Sequence, residues 1–404
     1  MKLRYLVVLS ILAAFAVGFM ASAQEPVTIE FWHRFSEDNT ATLEQLVSWF
    51  EAEYPWITVN LVYQGGYSAL QQKVNGAVVA GEVPTMTIFY EDWIQPVADA
   101  LLPLEPYFTD EEIADIIPSL LYRDMITIPF NKSIMVLYYI EEYVPVPPTT
   151  WEEFYDLCVE NTVDEDGDGT IDRYGTGLRP SANPEQFLAL LEQNNGSILN
   201  EDWTEVTLDN EAGMEALNFY ASLAEYAWVT SAYFNSEMGR VAMAIDTSAG
   251  YPHWIRAAAG TEYTVKTATL PVGEKMASFI QGTNIGIFNQ APAEEIEAGV
   301  LLLKFLLRGE MTGFWAAMSG YLPVTLSGVD SAVWTYALSE LADNPHTVVS
   351  SAMLLTGVAS LAHPNYGDMR SALGTMCDEI AHGAATVEEA VATAVDEIEY
   401  LLDY

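Results

Sequence analysis

Cysteine is nearly absent from this chain of 404 residues, which carries only Cys158 and Cys377. Two cysteines exclude a disulfide framework. Each lies in an apolar, helix-like pattern that suits a small buried side chain. Basic residues are scarce as well: 15 Lys and Arg stand against 57 Asp and Glu, a formal net charge of −42. That balance excludes nucleic acid and anionic membrane surfaces as partners, because both are bound through basic patches. After the first 23 residues no apolar run reaches the roughly 18 residues of a membrane-spanning helix. The 5 histidines show no metal-ligand spacing, and there is no nucleophile elbow and no phosphate-binding loop. The chain has no internal repeat and no low-complexity linker, so two domains would be joined by hinges and not by a tether.

What is present begins with an export signal. Lys2 and Arg4 precede an apolar stretch over 6–21, and Ala21-Ser22-Ala23 forms a small-residue cleavage site. The stretch is shorter than the roughly 20 residues that span a bilayer, and no cysteine follows it to carry a lipid. The expectation is a secreted, periplasmic protein with residues 1–23 removed. The remaining length suits two domains. With 50% hydrophobic and 12% aromatic residues the chain can fill large cores, which excludes disorder. Its acidity fits a solubilising shell or a saline or alkaline habitat, where short-range screening relieves self-repulsion.

Hydropathy patterning predicts strands over 27–32, 57–62 and 85–90, with helices over 41–54 and 68–80 between them. This β-α-β-α-β order implies parallel strands covered by helices, with ligands at the carboxyl ends of the strands. Helices are expected to begin near Thr150, Pro184, Asn210, Ala293, Thr312, Ala332, Tyr366 and Thr386. Strand-like pieces return at 241–246, 263–270 and 285–288. Strands this late suit an α/β protein of two lobes between which the chain crosses several times.

One segment joins these observations. Asn131-Lys132-Ser133-Ile134 reads as a polar turn on a ligand-facing loop, spliced to an apolar run that ends in Tyr138-Tyr139. A proline-stiffened turn and the helix start Thr150-Trp151-Glu152 follow. This segment resembles the lobe crossing of bacterial extracellular solute-binding proteins of ABC importers, the carbohydrate-type group. So do Phe31-Trp32-His33 in the first strand, Gly239-Arg240-Val241-Ala242-Met243, the returning Gly320-Tyr321-Leu322-Pro323, and the closing helix over 386–402. The resemblance implies a two-lobed, type II periplasmic-binding-protein fold. Its first lobe would comprise 24–133 with 277–325, and its second 134–276 with 326–404. It also implies a monomeric binding protein, not an enzyme, that hands a sugar or oligosaccharide to membrane permease subunits.

The pattern is similar to that of the family's glycerol-phosphate-binding members. That likeness implies ligand contacts at Tyr67, Glu91, Ser133, Ser248, Gly282, Tyr321 and Arg370. The chain departs from the pattern at 246–250 and near Leu178, and Asp246 would repel a phosphate if it faced the cleft. Judged by their own chemistry, Arg370 is a planar fork suited to phosphate or carboxylate, or else an ion-pair partner in an acidic chain. Tyr67, Trp93 and Tyr321 offer faces for a sugar ring or pack as core. Glu91 can accept from two hydroxyls, and Ser133 and Ser248 either donate to a ligand or satisfy the backbone. Carbohydrate is the expected ligand, with glycerol 3-phosphate or a glycerophosphodiester as the alternative.

The loop Asp164-Glu165-Asp166-Gly167-Asp168-Gly169-Thr170-Ile171-Asp172 spaces oxygen donors as a calcium loop does. Asp164, Asp166, Asp168, Thr170 (through its carbonyl) and Asp172 are the expected ligands of a structural Ca2+. Position 12 is Gly175, where a full loop of this type has glutamate. Two rivals are a secreted glycoside hydrolase, with carboxylates roughly 5–10 Å apart across a cleft, and a calcium-dependent adhesion protein.

Overall fold

In the first strand, β1 (Val27–His33), Ile29, Phe31 and His33 are buried and their neighbours less so, the alternation expected of a half-covered strand. The computed structural model describes residues 25–35, 37–121, 125–340, 349–350, 354, 356–361 and 363–402. The export signal lies outside them. β1 pairs in parallel with β2 (Ile57–Tyr63) and β3 (Met86–Phe89). Helices Glu37–Glu53 and Tyr67–Ala80 make the two crossovers, which completes the β-α-β-α-β unit.

The next strand, β4 (Ile128–Ile140), has 13 residues and is buried throughout. A separate parallel pair follows, β5 (Thr176–Leu178) and β6 (Ala227–Val229). After it come β7 (Met243–Thr247), β8 (Val265–Ala268), β9 (Ser278–Ile287) and the short β10 (Gly357–Val358). Apart from β5 and β6 these strands share one sheet, with neighbours in the order β2-β1-β3-β9-β4-β7, β8 on β4 and β10 on β9. β9, which arrives late in the chain, is inserted antiparallel between β3 and β4.

β4 changes partners along its length. Its first half pairs with β9, and its second half pairs with β7 and β8. The chain therefore passes from one lobe to the other as an extended strand. This corrects the turn expected at 131–134: Asn131, Lys132 and Ser133 sit mid-strand, each buried. Their side chains meet partners distant in sequence, although the Asn131 amide nitrogen has no hydrogen-bond partner. Thr283 donates to Asn131, Thr247 Oγ1 donates to Ser133 Oγ at 2.8 Å, and Lys132 meets Glu91. Pro129 is accommodated by a register shift between Pro129 and Asn131.

β9 is the second crossing, longer than the expected 285–288 for the same reason: its polar residues Thr283 and Asn284 are fully buried. Gly282 has φ +114°, and a Cβ there would lie 1.9 Å from the Asn131 carbonyl oxygen, so β4 and β9 can approach only because this residue has none. A third crossing runs through Tyr321 and Leu322, where the Leu322 N–H donates to the Lys132 carbonyl at 2.8 Å.

Most helix starts fall where the sequence signals them. Thr150 and Asn210 cap helices Trp151–Glu160 and Glu211–Leu223 through their side chains, and Pro184 precedes Glu185–Gln193. Gly309–Ser319 begins earlier than the expected Thr312. Cys158 and Cys377 are buried and unpaired. Among the described residues no helix is long and apolar enough to cross a membrane.

Candidate functional site

The carboxyl end of β3 leads into the short helix Glu91–Ile94, whose first residues face the crossing strands. Between this helix, β4, β9 and the start of helix Tyr366–Ala381 lies a cavity of about 470 Å³. Tyr90, Glu91, Asp92 and Trp93 form one wall, Lys132, Gln281 and Gly282 the floor, and Glu185, Tyr366 and Arg370 the opposite wall. A second cavity of about 520 Å³ lies between Asp38, Thr42, Arg256 and Phe314. Its ion pair, Arg256 with Asp38, is mostly exposed at 63% and 72%, so its charges are largely water-screened.

The central cavity is organised by two ion pairs. Lys132 Nζ lies 2.9 Å from Glu91 Oε1, with side chains 1% and 12% exposed. Arg370 grips Glu185 with two nitrogens, at 2.6 and 2.9 Å. Burial works against the Arg370 charge, but Glu185 outweighs it and raises the guanidinium pKa. Asp92 accepts no hydrogen bond from another described residue. Burial raises its pKa to about 6, with Arg370 opposing the shift and Glu91 and Glu185 adding to it.

Of the residues expected at the site, Glu91, Gly282 and Arg370 line this cavity. Tyr67 stands behind its wall, with its ring 4.5 Å from Tyr90 and 5.9 Å from Trp93. The Arg34 guanidinium lies 4.1 Å over the Tyr67 ring, and among the described residues it has no carboxylate partner. Tyr321 is buried and stacked on Trp315 at 6.0 Å. Burial raises the phenol pKa of Tyr67, Tyr90 and Tyr321, so all three are neutral.

Ser133 and Ser248 do not line the cavity. Ser133 accepts from Thr247, and Ser248 Oγ accepts the Ile134 N–H at 3.2 Å. Both hydroxyls tie β4 to β7 and the residues that follow it. Asp246 is buried beside Tyr138 and Trp254, away from the cavity, so it does not repel a ligand there. Lys132, Asp92 and Glu185 were not expected. The available signal for Lys132 was a lysine set inside a β-rich stretch of a chain poor in basic residues.

The acidic loop stands apart and exposed. Oxygens of Asp164, Asp166 and Asp172 lie within 4.8 Å of one another, a set that does not include Asp168. Asp164 accepts the N–H groups of Gly167 and Gly169 at 2.7 and 2.8 Å, and Asp168 accepts that of Thr170 at 2.7 Å. At Gly175 a Cβ would meet the Cys158 carbonyl oxygen at 2.1 Å, which is why no ligating side chain occupies that position.

Two lobes linked by extended crossings around a polar cavity define a solute-binding protein. Over residues 45–345 the chain matches the family described as bacterial extracellular solute-binding protein, and it belongs to that family. The sn-glycerol-3-phosphate-binding periplasmic protein UgpB of Shigella dysenteriae serotype 1 is 24% identical over 437 residues, covering 96% of this chain and 95% of that protein. The UgpB of Escherichia coli strain K12 is 23% identical with the same coverage, 96% and 95%. Among solved structures, the cyclic alpha-maltosyl-1,6-maltose binding protein from Arthrobacter globiformis superposes with a TM-score of 0.80 at 20% identity, covering 93% of this chain and 99% of that one. UgpB from Mycobacterium tuberculosis in complex with glycerophosphocholine gives a TM-score of 0.80 at 22% identity, covering 94% and 99%. These structures share the fold. The family and the relatives named here are binding proteins.

Proposed function

We propose that this protein is the ligand-capturing component of an ABC importer, a periplasmic monomer that closes its two lobes on a carbohydrate and presents it to membrane permease subunits. Residues 24–133 with 277–325 would form the first lobe, and 134–276 with 326–404 the second. The observation that carries the carbohydrate reading is the make-up of the central cavity. Aromatic rings of Tyr90 and Trp93 stand beside the amides of Gln71 and Gln281, and both cations are already held by carboxylates. A sugar presents C–H faces to the rings and hydroxyls to the amides and carboxylates. An anion would have to displace Glu91 or Glu185 before it met a cation.

The test is a thermal-shift screen of the mature chain against mono- and oligosaccharides and glycerol 3-phosphate. A ligand that binds the folded state raises the melting temperature with the logarithm of its concentration. A rise with a sugar and none with glycerol 3-phosphate supports the reading, and the reverse overturns it. Glycerol-phosphate binding is the second reading, favoured by Arg34, which lies over Tyr67 with no carboxylate partner among the described residues, and by the ligand named for the UgpB relatives. It requires that Arg34→Ala abolish a glycerol 3-phosphate shift. We also propose that the loop of Asp164, Asp166, Asp168, Thr170 and Asp172 takes Ca2+ in a structural role.

A further inference from the structure

Building on the carbohydrate reading of the central cavity, we infer that its ligand carries an ammonium group, with Asp92 as counter-charge and the Tyr366 hydroxyl as a hydrogen-bond partner: an amino sugar in place of a neutral or phosphorylated one. The charges around the cavity close into two pairs, Lys132 with Glu91 and Arg370 with Glu185. Asp92 is left over. It lines the cavity, is partly buried, and accepts no hydrogen bond from another described residue. The nearest guanidinium, Arg370, is held by Glu185 in a two-point grip. A partly buried carboxylate with no cationic side chain of its own carries a desolvation cost, and a ligand cation offsets that cost.

Tyr366 adds an independent observation. It lines the same cavity, is 2% exposed, and its hydroxyl, whose one polar neighbour there is the Ser360 side chain, makes no hydrogen bond of normal geometry. An orphaned buried hydroxyl beside open space calls for a polar group on whatever fills that space. The aromatic residues Tyr90, Trp93 and Tyr366 also line the cavity, and an ammonium group is attracted to aromatic rings where a phosphate is not.

The start of helix Tyr366–Ala381 would by itself favour an anion. That end already faces Asp92, whose Oδ2 lies 3.3 Å from where a Cβ on Gly367 would stand. A ligand anion would meet Asp92 first. At the rim, Asp368 is a further exposed carboxylate, which repels anions and draws cations toward the opening.

The experiment is titration calorimetry of the mature chain at pH 7.5 with matched probes: glucose and glucosamine, galactose and galactosamine, cellobiose and the β-1,4-linked glucosamine disaccharide. At least one amino sugar is expected to bind about ten-fold more tightly than its neutral counterpart. Asp92→Asn removes that advantage, Tyr366→Phe weakens the amino sugar, and Glu294→Gln, an exposed acid remote from the cavity, changes nothing. Thermal melting of Asp92→Asn checks that it folds. If neutral sugars bind as well as amino sugars in every pair, the ammonium assignment fails while the carbohydrate reading stands. If no sugar binds, or glycerol 3-phosphate binds more tightly than any of them, both fail together.

Discussion

Lys132, in the middle of a buried strand, holds its ammonium group against Glu91, a setting in which the lysine cannot turn to water. Replacing Lys132 by methionine leaves Glu91 without its partner and is expected to cost about 3 kcal/mol of stability, since breaking a buried pair strands a charge. The double variant Lys132→Met with Glu91→Gln should regain most of that loss. Urea unfolding of the four proteins in the cycle measures it, and equal stabilities of the single and double variants would show that the pair is not what holds Lys132. Asp92 supplies a pH signature of its own. Its pKa rises from 3.8 to about 6 on burial, with Arg370 opposing the shift and Glu91 and Glu185 adding to it, so the folded state binds this proton more tightly than the unfolded one. The stability it contributes is full below about pH 4 and is lost as pH rises through 6. Asp92→Asn should therefore melt higher than the parent at pH 8, with the difference shrinking as pH falls below 6. A difference that stays constant across that range would remove Asp92 as its source.

At the scale of elements, the crossings show what local pattern can and cannot convey. The β-α-β-α-β unit and most helix starts were legible because period, caps and proline placement are properties of neighbouring residues. β4 and β9 were only half legible. Met135 to Tyr139 reads as strand, whereas Asn131, Lys132 and Ser133 read as turn because their partners Thr283, Glu91 and Thr247 are remote in sequence. The same remoteness hid Glu185 from the candidate site, while Arg370 stood out through the scarcity of arginine and Asp92, next to the expected Glu91, was one acid among 57. Gly282 offers the sharpest test of the paired crossings. Gly282→Ala places a Cβ against the Asn131 carbonyl at a positive φ and is expected to destabilise by more than about 2 kcal/mol, where Gly76→Ala, in open space on a helix, should be neutral or mildly stabilising by thermal melting. The acidic loop yields a separate prediction: millimolar CaCl2 raises the melting temperature of the parent, and Asp164→Asn, which removes a carboxylate from the Asp164, Asp166 and Asp172 set, abolishes the rise. An equal response to MgCl2 would mean charge screening in place of coordination.

The molecule as a whole carries a formal net charge of −42, and the surface ion pairs among the described residues are few and at least partly exposed. Self-repulsion should therefore dominate its response to salt. Raising NaCl from 0.1 to 1 M shortens the screening length from about 10 Å to about 3 Å and is expected to raise the melting temperature. A fall over that range would mean that the exposed pairs, such as Arg308 with Glu53, outweigh the repulsion. The partner exchange along β4 bears on the whole assembly in another way. One continuous strand places Lys132 on the cavity floor and, a few residues on, hydrogen-bonds to β7 in the other lobe. Recognition and movement are thereby written into the same dozen residues. A substitution on this strand that retunes what the cavity accepts is therefore expected to change the rate of any lobe closure as well, which stopped-flow binding would read alongside affinity.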